Sequence, residues 1–126
     1  MRRMIIAGII VLIIALLGVW ERTAVTKACE DMTLRLTQIG ELIEKGDYIS
    51  AYENAEKING FWEKKERVLD VLIRHEDTDD IALDIDVLER YILLEDKTLS
   101  LSTVDEISGQ LEEIQKKTRV HYTNIF

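Results

Sequence analysis

Residues 4–20 read MIIAGIIVLIIALLGVW, a run of seventeen residues without a charged or strongly polar side chain. At about 1.5 Å per residue, a helix of this length covers roughly 25 Å, close to the hydrocarbon thickness of a bilayer, about 30 Å. The run therefore predicts a membrane-spanning helix. The remainder of the chain is predicted to be a domain held at the membrane surface by this helix.

The alternative interpretation of the run is the core of a cleaved signal peptide. Such a core is roughly 7 to 15 residues long and ends in small residues at a cleavage site. Here the run is longer, and it ends at bulky Trp20 and charged Glu21. A retained anchor is therefore favoured. The indole of Trp20 also suits the headgroup layer, because its ring is apolar and its N–H is polar.

Basic residues beside the run predict its orientation. Arg2 and Arg3 precede it directly, whereas Arg22 follows it beside an acidic residue. Because positive charge next to a span is retained in the cytoplasm, the N-terminus is predicted to be cytoplasmic. The prediction is a single-pass protein of the cell membrane, with a cytoplasmic stub and anchor at 1–22 and an extracytoplasmic helical domain at 23–126.

The charge of the chain restricts its partners. The protein has 16 Lys and Arg residues against 24 Asp and Glu residues. Without Arg2 and Arg3, the part after the run has 14 basic against 24 acidic residues, a net charge of −10. A domain this acidic is repelled by phosphate backbones and, beyond its anchor, by anionic lipids. We therefore expect no nucleic-acid binding, and we expect membrane contact through residues 4–20.

Apolar residues recur at steps of three and four in four segments, which is the spacing of a helix face. The absence of proline and the abundance of Leu, Ile, Glu and Lys also favour helices over strands. The predicted fold is all-α, an N-terminal transmembrane helix that continues into the first helix of an antiparallel four-helix bundle. The four seams are Val25, Cys29, Met32, Leu36, Ile39 and Ile43; Tyr48, Ala51, Tyr52, Ala55, Ile58, Trp62, Leu69, Leu72 and Ile73; Ile81, Ile85, Leu88 and Ile92; and Val104, Ile107, Leu111 and Ile114.

Turn residues set the predicted ends of the first two helices. Gly46 supplies a left-handed stop, so the first helix is predicted to end near Lys45, and Asp47 can cap the second helix. The dipeptide at 59–60, Asn-Gly, is a weak point of the second helix. The seam stays in phase across it, and one long helix is favoured.

The third helix is predicted over Asp79 to about Leu94, and it carries a second apolar line beside its seam. An apolar arc this wide predicts a central helix that contacts more than one neighbour. The second line consists of Leu83, Val87, Tyr91 and Leu94.

The last helix is predicted to follow the polar break at 95–97. The tail at 120–126 ends in two apolar residues, so it is predicted to pack back onto the bundle. The candidate starts of the last helix are Ser102 with Asp105, Thr103 with Glu106, or an earlier start at Thr98.

The most distinctive string of the domain is RHEDTDD at residues 74–80. His75, Glu76 and Asp79 offer one imidazole and two carboxylates within about one turn, which makes them a candidate metal or proton-sensing site. The favoured alternative is a solvated loop in which Thr78 or Asp79 caps the third helix. The spacing does not match an EF-hand loop.

The lone cysteine and three aromatic residues complete the set of candidates. Cys29 is predicted to fill its seam as a small apolar residue, with an intermolecular disulfide as the alternative. Trp62, Tyr91 and Phe126 are the candidate partner-binding residues. Trp62 is a core residue if it belongs to the stripe, and it is a binding hot spot if it is exposed.

Three motifs follow the N-terminal span: LIEKGDYISAYENAEKINGFWEK at 42–64, VLIRHEDTDDIALDIDVLERYILLEDK at 71–97 and TNIF at 123–126. This arrangement resembles an uncharacterised family of anchored proteins from Gram-positive, often spore-forming bacteria, a domain of unknown function (number four-three-six-three). The last helix departs from the family pattern at Gly109 and at the polar residues 118–121. The resemblance implies an envelope setting and a membrane-protein partner, and it implies no chemistry.

The sequence contains no catalytic pattern. It has no nucleophile with a companion base, no phosphate-binding loop and no zinc spacing, so the protein is predicted not to be an enzyme and to need no cofactor. The favoured function is a membrane-anchored module that binds or supports another envelope protein or a second copy of itself. The alternative is an envelope sensor that binds a cation or small ligand through residues 75–80.

Overall fold

A computed structural model describes the backbone of residues 1–72 and 75–125, and side chains within 1–69 and 76–118. The chain forms four helices, and no strand lies in the described ranges, so the all-α prediction is confirmed. The helices are α1 (Arg2–Glu44), α2 (Tyr48–Leu72), α3 (His75–Leu93) and α4 (Lys97–Ile125).

The first helix has two parts with different surroundings. It is 43 residues long, roughly 65 Å at the rise of an α-helix. No residue of its apolar run is buried, and Val25 is the first buried residue of the helix. At the end of the run, Trp20 lines a groove together with Val68 and Leu69 of α2. From there to Ile43 the predicted seam is buried, so α1 is continuous from the apolar run into the bundle, as predicted.

The four helices form a square in which each packs against the next, and α4 closes it against α1. Polar contacts show that neighbours are antiparallel. Between α3 and α4, Lys117 pairs with Asp77 at 3.4 Å (Nζ–Oδ2) near one end of the helices, and Gln110 contacts Asp84 further along. The predicted antiparallel four-helix bundle is thereby confirmed. Its core contains Ala28 and every predicted seam residue with a described side chain except Tyr48 and Tyr52, which are half-buried against it. The side chains of Leu72 and Ile73 lie outside the described residues.

The second helix is unbroken. It runs through Gly60, as the phase of its seam predicted. Ala51, Ala55, Ile58, Trp62 and Leu69 are buried on one face. Burial of this stripe fixes the rotation of α2 relative to α1 and α3. It also stabilises the helix by more than the ~1 kcal/mol that an internal glycine costs, so α2 continues through Gly60.

The turn between α1 and α2 is closed by a left-handed glycine. Gly46 has φ of 79°, and its N–H donates to the Ile43 carbonyl at 3.0 Å (N–O). The next N–H, of Asp47, donates to the Leu42 carbonyl at 2.9 Å (N–O), which completes a Schellman ending. Asp47 then caps α2, because its Oδ1 accepts the N–H of Ser50 at 3.1 Å. Both predicted roles are confirmed.

The turn between α3 and α4 has the same geometry without a glycine. Glu95 has φ of 54°, and its N–H donates to the Ile92 carbonyl at 3.0 Å (N–O). The N–H of Asp96 donates to the Tyr91 carbonyl at 3.1 Å (N–O). The Asp96 carboxylate then caps α4 by accepting the N–H of Leu99 at 3.0 Å (Oδ1–N). A glutamate therefore occupies a conformation that glycine adopts at little cost.

We expect Glu95→Gly to stabilise the bundle by about 1 kcal/mol, because the left-handed conformation strains a residue with a Cβ. The gain should raise the melting temperature, measured by far-UV circular dichroism, by about 4 to 8 °C. Gly46→Ala should lower stability by a similar amount, since a Cβ at Gly46 would meet no atom within 4 Å and the cost is purely conformational. Glu95→Ala is the control for lost charge. A gain with Glu95→Ala as large as with glycine would assign the effect to the carboxylate and not to the backbone.

The third helix begins earlier than predicted. It starts at His75, so residues 75–80 are helical, and the predicted solvated loop with Thr78 or Asp79 as its cap is wrong. Thr78 is fully buried and lies three residues before Ile81, so it extends the seam by one step. Acidic residues in the first turn favour a helix start because they complement the helix dipole.

The fourth helix also begins before its predicted capping pairs, one residue ahead of the earliest predicted start. It starts at Lys97, and Asp96 is the cap, so the starts at Ser102 and Thr103 are wrong. Ser100 is fully buried four residues before Val104 and extends the seam of α4. The helix continues to Ile125; the tail's predicted packing concerns side chains that lie outside the described residues.

Candidate functional site

The second apolar line of α3 lies on the outside of the bundle. Leu83 and Leu94 are 62% and 74% exposed, and Val87 and Tyr91 are half-buried. These four residues form the outer stripe. The prediction that α3 contacts more than one helix is confirmed, since it packs against α2 and α4. The prediction that α3 is central is wrong, because every helix of a square occupies a corner and keeps one outward face.

Carboxylates border the outer stripe on both sides. On the α4 side, Asp84 Oδ2 accepts a hydrogen bond from Gln110 Nε2 at 2.8 Å, and on the α2 side, Asp86 Oδ1 accepts one from Asn59 Nδ2 at 3.1 Å. Both donors are neutral amides, so they satisfy the carboxylates without cancelling their charge. Helix α3 has seven Asp and Glu residues against one arginine and no lysine, which leaves it at −6. The outer stripe therefore lies between two rows of negative charge.

The Glu89 carboxyl group is perturbed by this crowding. Burial raises its pKa, the hydrogen bond from Asn59 Nδ2 (3.3 Å to Oε1) opposes the rise, and the charges of Asp86 and Glu56 raise it further. Like charges thus accumulate where α2 meets α3. A cation brought to this surface would lower the electrostatic cost of keeping these groups ionised.

Exposed apolar residues continue beyond the outer stripe, at the end of the bundle far from the apolar run. Ile49 and Leu93 are exposed, and they line a groove of about 270 Å³ together with Tyr48 and Tyr52. Leu94 of the outer stripe directly follows Leu93. The apolar surface therefore extends from the outer face of α3 to the tip formed by the two turns.

The three predicted partner-binding residues have different positions. Trp62 is 1% exposed, and its Nε1–H donates to the carbonyl of Thr78 at 3.1 Å (N–O). This placement favours the core interpretation of Trp62 over the hot-spot interpretation. Tyr91 belongs to the outer stripe, whereas Phe126 lies outside the described residues.

The predicted metal ligands lie in the first turns of α3. Glu76 and Asp79 are exposed, and the side chain of His75 lies outside the described residues. Within the part of the chain that the structure describes, no three His, Cys, Asp or Glu side chains come together as a set that could hold a metal ion. The metal-site prediction depends on His75 and therefore stays a prediction.

Cys29 fills the core between α1 and α4. Burial raises the pKa of its thiol to about 11; a hydrogen bond with Gln115 opposes this rise, and the charge of Glu30 adds to it. The side chain is fully buried, and its thiol remains protonated at neutral pH. Thiolate chemistry is thereby suppressed, which favours the interpretation of Cys29 as an apolar filler.

The apolar run is the second candidate surface. Among the described helices, α1 alone is both long enough and apolar enough to cross a membrane, judged by length and composition. None of its apolar run is buried against the rest of the chain. A helix segment that is apolar all round and is not buried against protein is typical of a segment surrounded by lipid.

Comparison with known proteins identifies the domain. The family model of a domain of unknown function, DUF4363, matches residues 19–125. The match covers the whole bundle and includes the last two residues of the apolar run. No curated protein and no solved structure matches the chain.

Proposed function

We propose that this chain, which belongs to the DUF4363 family, is a membrane-anchored module whose helical bundle lies outside the cytoplasm and binds or supports another envelope protein. The unpacked apolar run supports the anchor. Arg2 and Arg3 at its short end support a cytoplasmic N-terminus. In this arrangement the bundle presents its outer faces and its far tip to other proteins of the envelope.

The outer stripe is the observation that carries this proposal. Exposed apolar residues that are scattered singly are normal on any protein. Here Leu83, Val87, Tyr91 and Leu94 follow one line along α3 and join a further apolar cluster at the tip. A line of apolar residues at helical spacing is the kind of surface on which another helix docks.

A different protein is favoured over a second copy as the partner. The chain carries a net charge of −8, and α3 alone carries −6. Two copies that met through the outer stripe would bring four rows of carboxylates together. Like charges placed opposite one another across an interface disfavour association, so this face is better suited to a partner of opposite charge.

Site-specific photo-cross-linking tests the proposal. A benzoylphenylalanine at position 83 of the full chain, irradiated in native membranes, should give one discrete adduct larger than the monomer. Leu34 is the matched control, because it is 60% exposed, close to the 62% of Leu83, and lies on α1 at the opposite corner of the square. The same probe at position 34 should give no such adduct. Equal yields at both positions, or no adduct at position 83, would contradict a docking role for the outer stripe.

A further inference from the structure

We infer that the partner docks on the outer stripe with a cationic amphipathic helix, one apolar line flanked by Lys and Arg residues. This inference rests on the proposed function and gives the chemistry of the partner. The observation behind it is the placement of the outer stripe between carboxylates that have neutral hydrogen-bond partners.

The shape of the outer stripe fits a helix. Leu83, Val87, Tyr91 and Leu94 are separated by steps of four, four and three, so they form one ridge that runs along α3 and ends one residue beyond it. From the first to the last, the ridge covers roughly 16 Å at the rise of an α-helix. Three turns of a partner helix cover the same distance. A partner helix packed against the ridge would add a fifth helix to the bundle. Its side chains would lie in the grooves of α3, and those of α3 would lie in its grooves.

The carboxylates on both sides of the ridge determine the sign of charge that the partner should carry. Asp80 and Asp84 lie on the α4 side of the ridge, and Asp86 lies on the α2 side, so both edges of a docked helix meet carboxylates. The amides of Gln110 and Asn59 leave the charges of Asp84 and Asp86 in place. Lysine or arginine on both edges of the partner would complete charge-assisted pairs, whereas acidic edges would be repelled.

Arg90 indicates how the partner helix should be aligned along the ridge. It is exposed, and it is the one Lys or Arg of α3. Helical spacing places it beside Leu83 and Leu94 on the outward face. The partner helix is therefore expected to carry an acidic or uncharged residue opposite Arg90 and basic residues elsewhere along its edges.

The test is to sequence, by mass spectrometry, the partner peptide joined to benzoylphenylalanine at position 83 of the full chain in membranes. The expected peptide has apolar residues at steps of three and four with Lys or Arg on both flanks. Asp80→Lys combined with Asp86→Lys should lower the adduct yield about tenfold, since two pairs become repulsions. Glu30→Lys combined with Glu41→Lys on α1 makes the same change of charge at the helix diagonally opposite α3, and it should leave the yield unchanged.

Salt gives a second readout that needs no variant. Raising NaCl from about 0.05 to about 0.5 M should reduce the adduct yield of the otherwise unaltered chain, because screening weakens exposed charge pairs. An adduct whose peptide lacks basic flanks, or whose yield ignores both salt and charge reversal, overturns the inference and leaves the proposed function standing. The absence of any adduct at position 83 removes the proposed function itself.

Discussion

Replacing Trp62 by alanine is expected to destabilise the bundle by about 3 to 5 kcal/mol, the usual loss when a large aromatic residue is removed from a core. Trp62 is among the largest fully buried side chains, and its Nε1–H donates to the Thr78 carbonyl across the α2–α3 contact. The change therefore removes apolar contact area and a buried hydrogen bond together. Since domains of this size are stable by about 5 to 15 kcal/mol, roughly a fifth or more of the folding free energy would be lost. The loss of unfolding free energy is measured by urea unfolding of the full chain in detergent micelles, with circular dichroism as the signal.

Two variants separate the contributions to this loss. Trp62→Phe keeps most of the apolar volume and removes only the N–H donor, so it should cost about 1 kcal/mol for the hydrogen bond and a further amount for the smaller ring. Trp20→Ala is the matched control, because Trp20 is exposed and lies outside the core cluster. It should leave the unfolding free energy within about 0.5 kcal/mol of the parent value. A loss below about 1 kcal/mol for Trp62→Ala would show that this residue is not part of the core.

The seams of the four helices could be predicted because burial and helical period act on the same residues. In each helix, one line of apolar side chains at steps of three and four is buried, from Val25 in α1 to Ile114 in α4. The continuity of α1 from the apolar run into the bundle follows from the same period and from the absence of Gly and Pro between Trp20 and Gly40. The turn residues Gly46 and Asp47 then predicted where α1 ends and α2 begins.

Hydroxyl residues account for the two wrong helix starts. Thr78 and Ser100 are both fully buried and both continue a seam, yet threonine and serine are also common capping residues. Their helical spacing could have shown that they belong to the seams, since Thr78 precedes Ile81 by three residues and Ser100 precedes Val104 by four. Glu95 had a weaker signal. Nothing in a glutamate indicates a left-handed conformation, and only the likeness of Glu95-Asp96 to Gly46-Asp47 pointed to a second turn of the same kind.

The outer stripe could be found in the sequence, but its surroundings could not be inferred from periodicity. Leu83, Val87, Tyr91 and Leu94 form an apolar line that would suit either a buried helix or a docking surface. Whether a neighbour covers such a line depends on how many helices surround α3, and this is a property of the square. The acidic residues on both sides of the line were the usable signal, because two rows of carboxylates are rarely buried.

Deleting residues 2–20 is expected to move the protein from the membrane fraction to the soluble fraction without weakening the bundle. The deleted segment contains the whole apolar run, and the first buried residue of α1, Val25, lies beyond it. The core therefore loses no buried residue. In a fusion that carries alkaline phosphatase after Phe126, the full chain should be in the membrane fraction and show phosphatase activity, because this enzyme is active only after export. The deletion variant should be in the soluble fraction and show none.

A replacement variant isolates the physical cause of this large change. Seventeen leucines in place of residues 4–20 keep the length and apolar character of the run and remove its sequence, so both membrane fractionation and phosphatase activity should be retained. The bundle of the deletion variant should melt within about 2 °C of the full chain, as expected where no buried group is lost. A lower melting temperature would mean that the apolar run stabilises the bundle. An inactive phosphatase on the membrane-bound full chain would place the bundle in the cytoplasm and reverse the proposed topology, since Arg2 and Arg3 would then lie outside against the retention of positive charge.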